Sequence, residues 1–450
     1  MTSAIETGLL PLTAEARPGG LAVGGVPLLD LAERFGTPLF VYDEEHLRRR
    51  CREAVAAFGT DNVAYASKAF LCTAMARLAH EEGMLLDVAS GGELRVALHA
   101  GVPADRIVLH GNNKDETELR TAMAAGLRHI VVDSLDEMDR IERLHAEEGL
   151  PPAPVQLRVA PGVAAGAHEA IRTGGHDSKF GFGLADGAAA HAVRRAAESP
   201  AMILEGIHAH VGSQVLDTAE LAAGAAAVAR FAVRTGTRRL TVGGGLGVAY
   251  EAGQSVPSFA DWAAAVRLAV RETGWTGEVA VEPGRSIAAR AGLTLYRVGT
   301  IKRIEGVRTY VGVDGGMSDN PRPALYGSRY EVFLPRSPHA PRPWRARLVG
   351  KHCESGDVIV DDAALPAGTA VGDVLATPVT GAYGYAMASN YNKLPRPAVV
   401  FVRDGGARIA VRRETEEDLL RLDVDEPVES PERSEPAGTG AGRGTSLTRC

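Results

Sequence analysis

Short apolar runs alternate with amphipathic helical stretches, in the same order, from residue 62 to residue 284. The runs cover 62–67 (NVAYAS), 85–90 (LLDVAS), 107–112 (IVLHGN), 129–134 (HIVVDS), 155–161 (VQLRVAP), 204–213 (LEGIHAHVGS), 239–245 (RLTVGGG) and 278–284 (EVAVEPG). They are near-continuously apolar rather than alternating, as expected of parallel strands covered on both faces. Between them, helical spacing predicts helices over 73–80, 116–125, 135–148, 185–198, 221–235 and 259–273, several stopping at glycine. An open, doubly wound sheet gives the same alternation. The count of eight favours closure, so the pattern predicts a TIM-type (β/α)8 barrel.

After Arg285 the texture changes. Strand patterns follow over 293–304, 309–313, 330–334, 345–349, 358–360, 374–379, 398–402 and 408–412, with almost no helical periodicity until 415–422. This predicts a second, C-terminal all-β domain, a β-barrel or sandwich. Ahead of the barrel lie one helical stretch, 27–35, and a strand-like run, 38–42. The expected organisation is an N-terminal segment (1–36) joining the β domain, a barrel (37–285), the β domain (286–424) and a tail (425–450). That tail is rich in Pro, Glu, Ser and Gly and is expected to be disordered.

At 450 residues the chain exceeds one ordinary domain, which agrees with this division. A net charge of −7 without a basic cluster argues against nucleic acid or an anionic membrane as partner. No apolar run reaches bilayer-spanning length, and the first residues lack the basic start and apolar stretch of a secretion signal. Cys51, Cys72, Cys353 and Cys450 show no CxxC spacing, so neither a disulfide framework nor a zinc site is expected. A reducing cytoplasm is the expected location, and Cys450 reads as an incidental thiol.

A parallel barrel gathers its strand C-termini on one face, so residues far apart in sequence meet there. Lys68 ends the first strand. Its amine is a competent nucleophile toward a carbonyl once burial lowers its pKa, although a lone strand-end lysine is usually solvated. His208 and His210, two apart on the sixth strand, face the same side. Such a pair could suit a metal, but no third ligand accompanies it in sequence; ring stacking, acid–base work or plain packing fit His210 as well. Ser213 follows, placed to contact a phosphate. Gly243, Gly244 and Gly245 end the seventh strand, as a phosphate cradle or a tight turn. Glu282, Gly284 and Arg285 end the eighth, where such barrels often hold phosphate. Glu282 could keep a ring nitrogen protonated and Arg285 could hold a carboxylate; an ordinary salt-bridged turn is the bland alternative for each alone. A lysine, a phosphate cradle and an acid in one barrel mouth together suggest pyridoxal 5'-phosphate.

The motifs YASKAF, LHGNNK, DSKFGFG, HVGSQ, GGGLG, EPGR, DGGMSDNPRPALYG, GKHCESGD and GAYGYAMASNYN follow one another in order from about residue 20 to 422. In that order and spacing the chain closely resembles the fold-type III, pyridoxal-phosphate-dependent decarboxylases. The resemblance implies that Lys68 carries the cofactor, that His210 stacks on its ring, and that Ser213, Gly244, Gly245 and Gly284 surround its phosphate. It pairs Glu282 with the ring nitrogen and assigns Arg285, Arg322 and Tyr326 to substrate carboxylates. Tyr383 touches cofactor and substrate. Cys353 and Glu354 reach in from the second subunit of a head-to-tail homodimer, the thiol as proton donor and the carboxylate on a distal ammonium. The implied reaction is decarboxylation of meso-2,6-diaminopimelate to L-lysine. The chain departs from the family after the fifth strand, where GVAAGAHEAI keeps only His168 and Glu169 of a histidine pair and glutamate.

Three other readings compete. A decarboxylase of ornithine, lysine, arginine or carboxynorspermidine does not need both Arg322 and Glu354. A racemase on the same barrel places a tyrosine base where CESGD stands, and an inactive homologue lacks Lys68 or Cys353.

Overall fold

The structure is a computed structural model that describes residues 4–162 and 178–424. Eight parallel strands run in sequence order around the first domain: Ala64–Ala66, Leu85–Val88, Ile107–Leu109, His129–Val132, Ala153–Ala160, Met202–His208, Arg239–Thr241 and Glu278–Ala280. The last closes on the first. Val63 bridges Val281 in parallel, and the Ala64 and Val281 N–H groups donate to Val281 O and Asn62 O. Closure leaves no free edge to pair with another chain, which is why eight βα units end as a barrel. A short ninth strand, Phe182–Gly183, pairs beside the fifth.

The helices follow local rules. Glu116–Ala125 opens with a capping box between Asp115 and Glu118, and Leu135–Glu148 opens on Ser134 accepting from the Glu137 N–H. Among the longer helices, Glu44–Phe58 and Gly91–His99 lie outside the predicted set. In the first, Leu47, Cys51, Ala54 and Phe58 form a buried stripe hidden in a run of arginines and glutamates.

The second sheet orders Val358–Leu365, Trp344–Val349, Arg308–Val313, Gly292–Ile304, Leu39–Asp43, Ala398–Arg403 and Gly406–Val411, with Val374–Pro378 also on Gly292–Ile304. The expected barrel boundary at 37 needs correction here. Leu39–Asp43 lies inside this sheet, antiparallel to Gly292–Ile304 and parallel to Ala398–Arg403, with all five residues buried. A strand walled on both sides matches the near-continuous apolar run LFVY better than a barrel rim does. The chain therefore starts in the β domain, enters the barrel through Glu44–Phe58 and returns after Arg285. The strand expected over 330–334 is a single bridge, Phe333 to Ala376, cut off by Pro335. An unpredicted N-terminal sheet, Glu15–Arg17, Gly20–Val23 and Val26–Pro27, packs on the β domain, with Leu21 N–H on Pro335 O and Gly405 N–H on Gly24 O. The tail with Cys450 and the loop with His168 and Glu169 lie outside the described residues. No helix among the described residues is long and apolar enough to cross a membrane.

Two buried polar features brace the junctions. Lys114, 2% exposed, donates to Gly111 O, Val131 O and Glu137 Oε1 at 2.6–2.7 Å, so all three ammonium protons are used. This fixes the loop after the third strand. His46 accepts from the Leu12 N–H at Nδ1, 3.1 Å away, and must be neutral to do so. Burial, then the guanidiniums of Arg290, Arg50 and Arg49, push it from 6.5 down to about 3. The unfolded chain takes up that proton first, so the stabilisation is complete above pH 6.5 and lost as pH falls towards 3. The loss is at most about 1.4 kcal/mol per pH unit. Melting temperature should fall along this acid limb, and His46→Gln should flatten it; identical limbs would disprove the assignment.

Candidate active site

The C-terminal ends of the barrel strands meet residues of the β domain around a cavity of about 640 Å³. Lys68, His210, Ser213, Gly244, Gly245, Glu282, Gly284, Arg285, Arg322, Tyr326 and Tyr383 all line it. Lys68 stands on a single 3₁₀ turn, Ser67–Ala69, directly after the first strand, with its side chain exposed. The Tyr383 N–H donates to Ala69 O at 2.8 Å, tying the β domain to that turn. Tyr383 holds a left-handed backbone (φ 60°), uncommon for a bulky residue, and its ring faces the Arg285 guanidinium at 4.8 Å.

An anion site lies between the sixth, seventh and eighth strand ends. A Cβ on Gly244 would stand 2.3 Å from Glu282 O, so only glycine permits the two strand ends to approach this closely. Arg285 donates to Ser213 Oγ at 3.0 Å and to the Tyr250 hydroxyl at 2.8 Å. Arg322 donates to the Tyr330 hydroxyl and faces the Tyr250 ring at 4.6 Å. Both guanidiniums are buried (7% and 5% exposed), and among the described residues neither forms an ion pair. The Arg285 Nε is buried without a hydrogen-bond partner among them. Two buried cations without an ion pair among the described residues suit the anionic groups of a ligand.

In the cavity lining, Glu282 lies between two imidazoles. His110 Nε2 lies 2.9 Å from Oε1, and His208 Nε2 lies 2.9 Å from Oε2. Burial alone raises this carboxyl, but the two histidines outweigh it and hold it well below the usual range. Asp87, 3.7 Å from His110, is pushed up to about 6 by burial. His210 accepts from the Gly244 N–H at Nδ1, and burial, then the Lys68 charge, push it well below 6.5. Its ring is neutral. The residues present fit pyridoxal 5'-phosphate: a lysine at the mouth, a glycine-walled cradle with a serine and a buried arginine, and an anionic carboxylate in the lining.

Cys353 and Glu354 do not line this cavity. They stand exposed on a loop of the β domain. The loop is rigidly built: Asp357 accepts from the Met317 and His352 N–H groups, and His352 bridges Ser318 and Asn392. The exposed thiol rules out the buried, inert fate; that fate belongs to Cys51 and Cys72. Sequence reasoning gave no role to Asp87, His110, Arg158, Tyr250 or Tyr330. Asp87 and His110 were visible as polar residues at the second and third strand ends, whereas Tyr250 sits in a loop without a pattern and Tyr330 opens a stretch expected to be a strand.

Residues 44–289 match the model of the pyridoxal-dependent decarboxylase, pyridoxal binding domain. The diaminopimelate decarboxylase of Mycobacterium tuberculosis (strain H37Rv) is 47% identical over 432 residues, covering 92% of this chain and 96% of that protein. The Bacillus subtilis protein of the same name is 44% identical over 421 residues, 90% of this chain and 95% of its own length. The crystal structure of diaminopimelate decarboxylase from M. jannaschii in co-complex with L-lysine superposes with a TM-score of 0.86 at 34% identity, covering 92% of this chain and 98% of that one. A barrel carrying this pocket, matched along nine-tenths of the chain, belongs to the diaminopimelate decarboxylase family of pyridoxal-dependent decarboxylases.

Proposed function

We propose that the chain is a carboxy-lyase that removes carbon dioxide from the D-configured end of meso-2,6-diaminopimelate and releases L-lysine, the last step of lysine biosynthesis. The supporting observation is the pair of buried guanidiniums, Arg285 and Arg322, which form no ion pair among the described residues, in the cavity that holds Lys68 and Glu282. A substrate with an amino acid at each end brings anions that suit these cations. Bound pyridoxal phosphate supplies the electron sink for the bond that breaks at Cα. Lys68 holds the cofactor through its Nζ, while Ser213, Gly244, Gly245 and Gly284 surround the phosphate. Glu282 keeps a proton on the ring nitrogen, and the neutral His210 ring packs against the cofactor. Arg285, Arg322 and Tyr326 grip carboxylates, Arg322 through the planar fork that suits them. Tyr383 closes the pocket over Arg285.

The same reading makes the active unit a homodimer. Cys353 and Glu354 stand outside their own chain's cavity on a braced, exposed loop, so a second copy is their route to a pocket. There Glu354 takes the distal ammonium and Cys353 Sγ delivers the proton that replaces the lost carboxylate.

Carbon dioxide release by cofactor-loaded protein tests the substrate. Release should be fast with meso-diaminopimelate and at least about 10²-fold slower with D-lysine, L-lysine or L-ornithine, each lacking the distal carboxylate that the second arginine binds. Comparable rates with L-ornithine would favour a decarboxylase of simple basic amino acids instead.

A further inference from the structure

We propose that His110 and His208 are positioning residues, two imidazoles that flank both oxygens of Glu282 and keep it an anion aimed at the cofactor. This rests on the reading that Glu282 pairs with the ring nitrogen.

The geometry supports it from both sides. His208, ending the sixth strand, forms a hydrogen bond with Oε2, and His110 Nε2, after the third strand, stands at ion-pair distance from Oε1; each distance is 2.9 Å. The two rings meet edge to face, 4.9 Å apart at 66°, so their donors arrive from different directions and leave one side of the carboxylate open. His208 is 1% exposed, and its Nδ1 has no partner among the described residues, which puts the ring proton on Nε2, facing Glu282. His110 is held in turn through its loop, where Lys114 Nζ grips Gly111 O.

Contacts on both oxygens stabilise the carboxylate as an anion and fix the direction in which it faces the ring. The other charged or titratable groups facing this cluster are Asp87 beside His110, Arg158 with its partner Asp133, Lys68 and His210.

The test uses the full chain loaded with cofactor labelled at the ring nitrogen with ¹⁵N. The parent protein should show a protonated ring nitrogen, and two downfield imidazole N–H resonances should be lost singly in His110→Gln and His208→Gln. Those glutamine variants, which keep a donor, should retain ring protonation. The double variant H110L/H208L should lose it and bind the cofactor about tenfold or more weakly per lost donor, with circular dichroism reporting that the fold is kept. A folded double variant with parental ring protonation and affinity would overturn the clamp. If that variant fails to fold, the parent's imidazole N–H resonances decide alone, and their absence overturns it. Glu282→Gln separates the levels: ring protonation unchanged there means that the pairing of Glu282 with the cofactor is itself wrong.

Discussion

Lys68→Ala is expected to lose the visible absorbance of lysine-linked cofactor and to reduce decarboxylation by at least about 10⁴-fold. That is the upper end of what removing one proton-transfer group costs, and the covalent anchorage disappears as well. The physical reason lies in placement. Lys68 is on a rigid 3₁₀ turn, locked by the Tyr383 N–H on Ala69 O and by Gly284 packed against Ala66, so no neighbouring amine can stand in. Lys114, another lysine near the barrel mouth, has all three donors committed to Gly111, Val131 and Glu137. The phosphate cradle is untouched by the substitution, so the variant should still take up cofactor, reversibly and without the lysine-linked absorbance. Spectral titration followed by dialysis reads both. Retained lysine-linked absorbance would remove Lys68 from its role.

Cys353→Ala should behave in the opposite way. The cofactor pocket lies elsewhere, so absorbance and cofactor affinity should match the parent protein, while turnover falls by about 10²–10⁴-fold for want of a proton donor. Unchanged turnover would refute the donor role. The location of the thiol makes a stronger test available. It is exposed and outside its own chain's cavity, so the proposed donor role makes each pocket depend on the loop of another copy. Mixing the inactive Lys68→Ala and Cys353→Ala proteins, with dissociation and reassembly, should restore up to about one quarter of the parent activity. This follows because half the dimers are hybrids and each hybrid has one intact site. A mixture that stays inactive although hybrids form would sink the shared-site dimer.

How far these features could be read from the chain depended on the range of the interactions. The eight βα units were legible because strand and helix periodicities are local, and the caps at Asp115 and Ser134 are set within three residues. The strand-end residues were legible for a related reason: a closed parallel barrel has one chemistry-bearing face, so Lys68, His210, the glycines and Glu282 had to converge. The helix Glu44–Phe58 was obscured by its arginines and glutamates, which pair with one another on the surface, as Arg49 does with Glu53.

By itself, then, the sequence determined the order of the elements, the barrel, and which residue types occupy the rim, because each depends on neighbours a few positions away or on a topology with a single outcome. Only the tertiary structure decided that Leu39–Asp43 threads between Gly292–Ile304 and Ala398–Arg403, that two imidazoles from distant strand ends close on Glu282, and that Cys353 is exposed outside the lining of its own chain's pocket.

 His110 lies 98 positions before His208 and 172 before Glu282, so no local pattern links them. Such contacts are set by which surfaces remain to be buried once the local elements exist, and that is settled across the whole molecule.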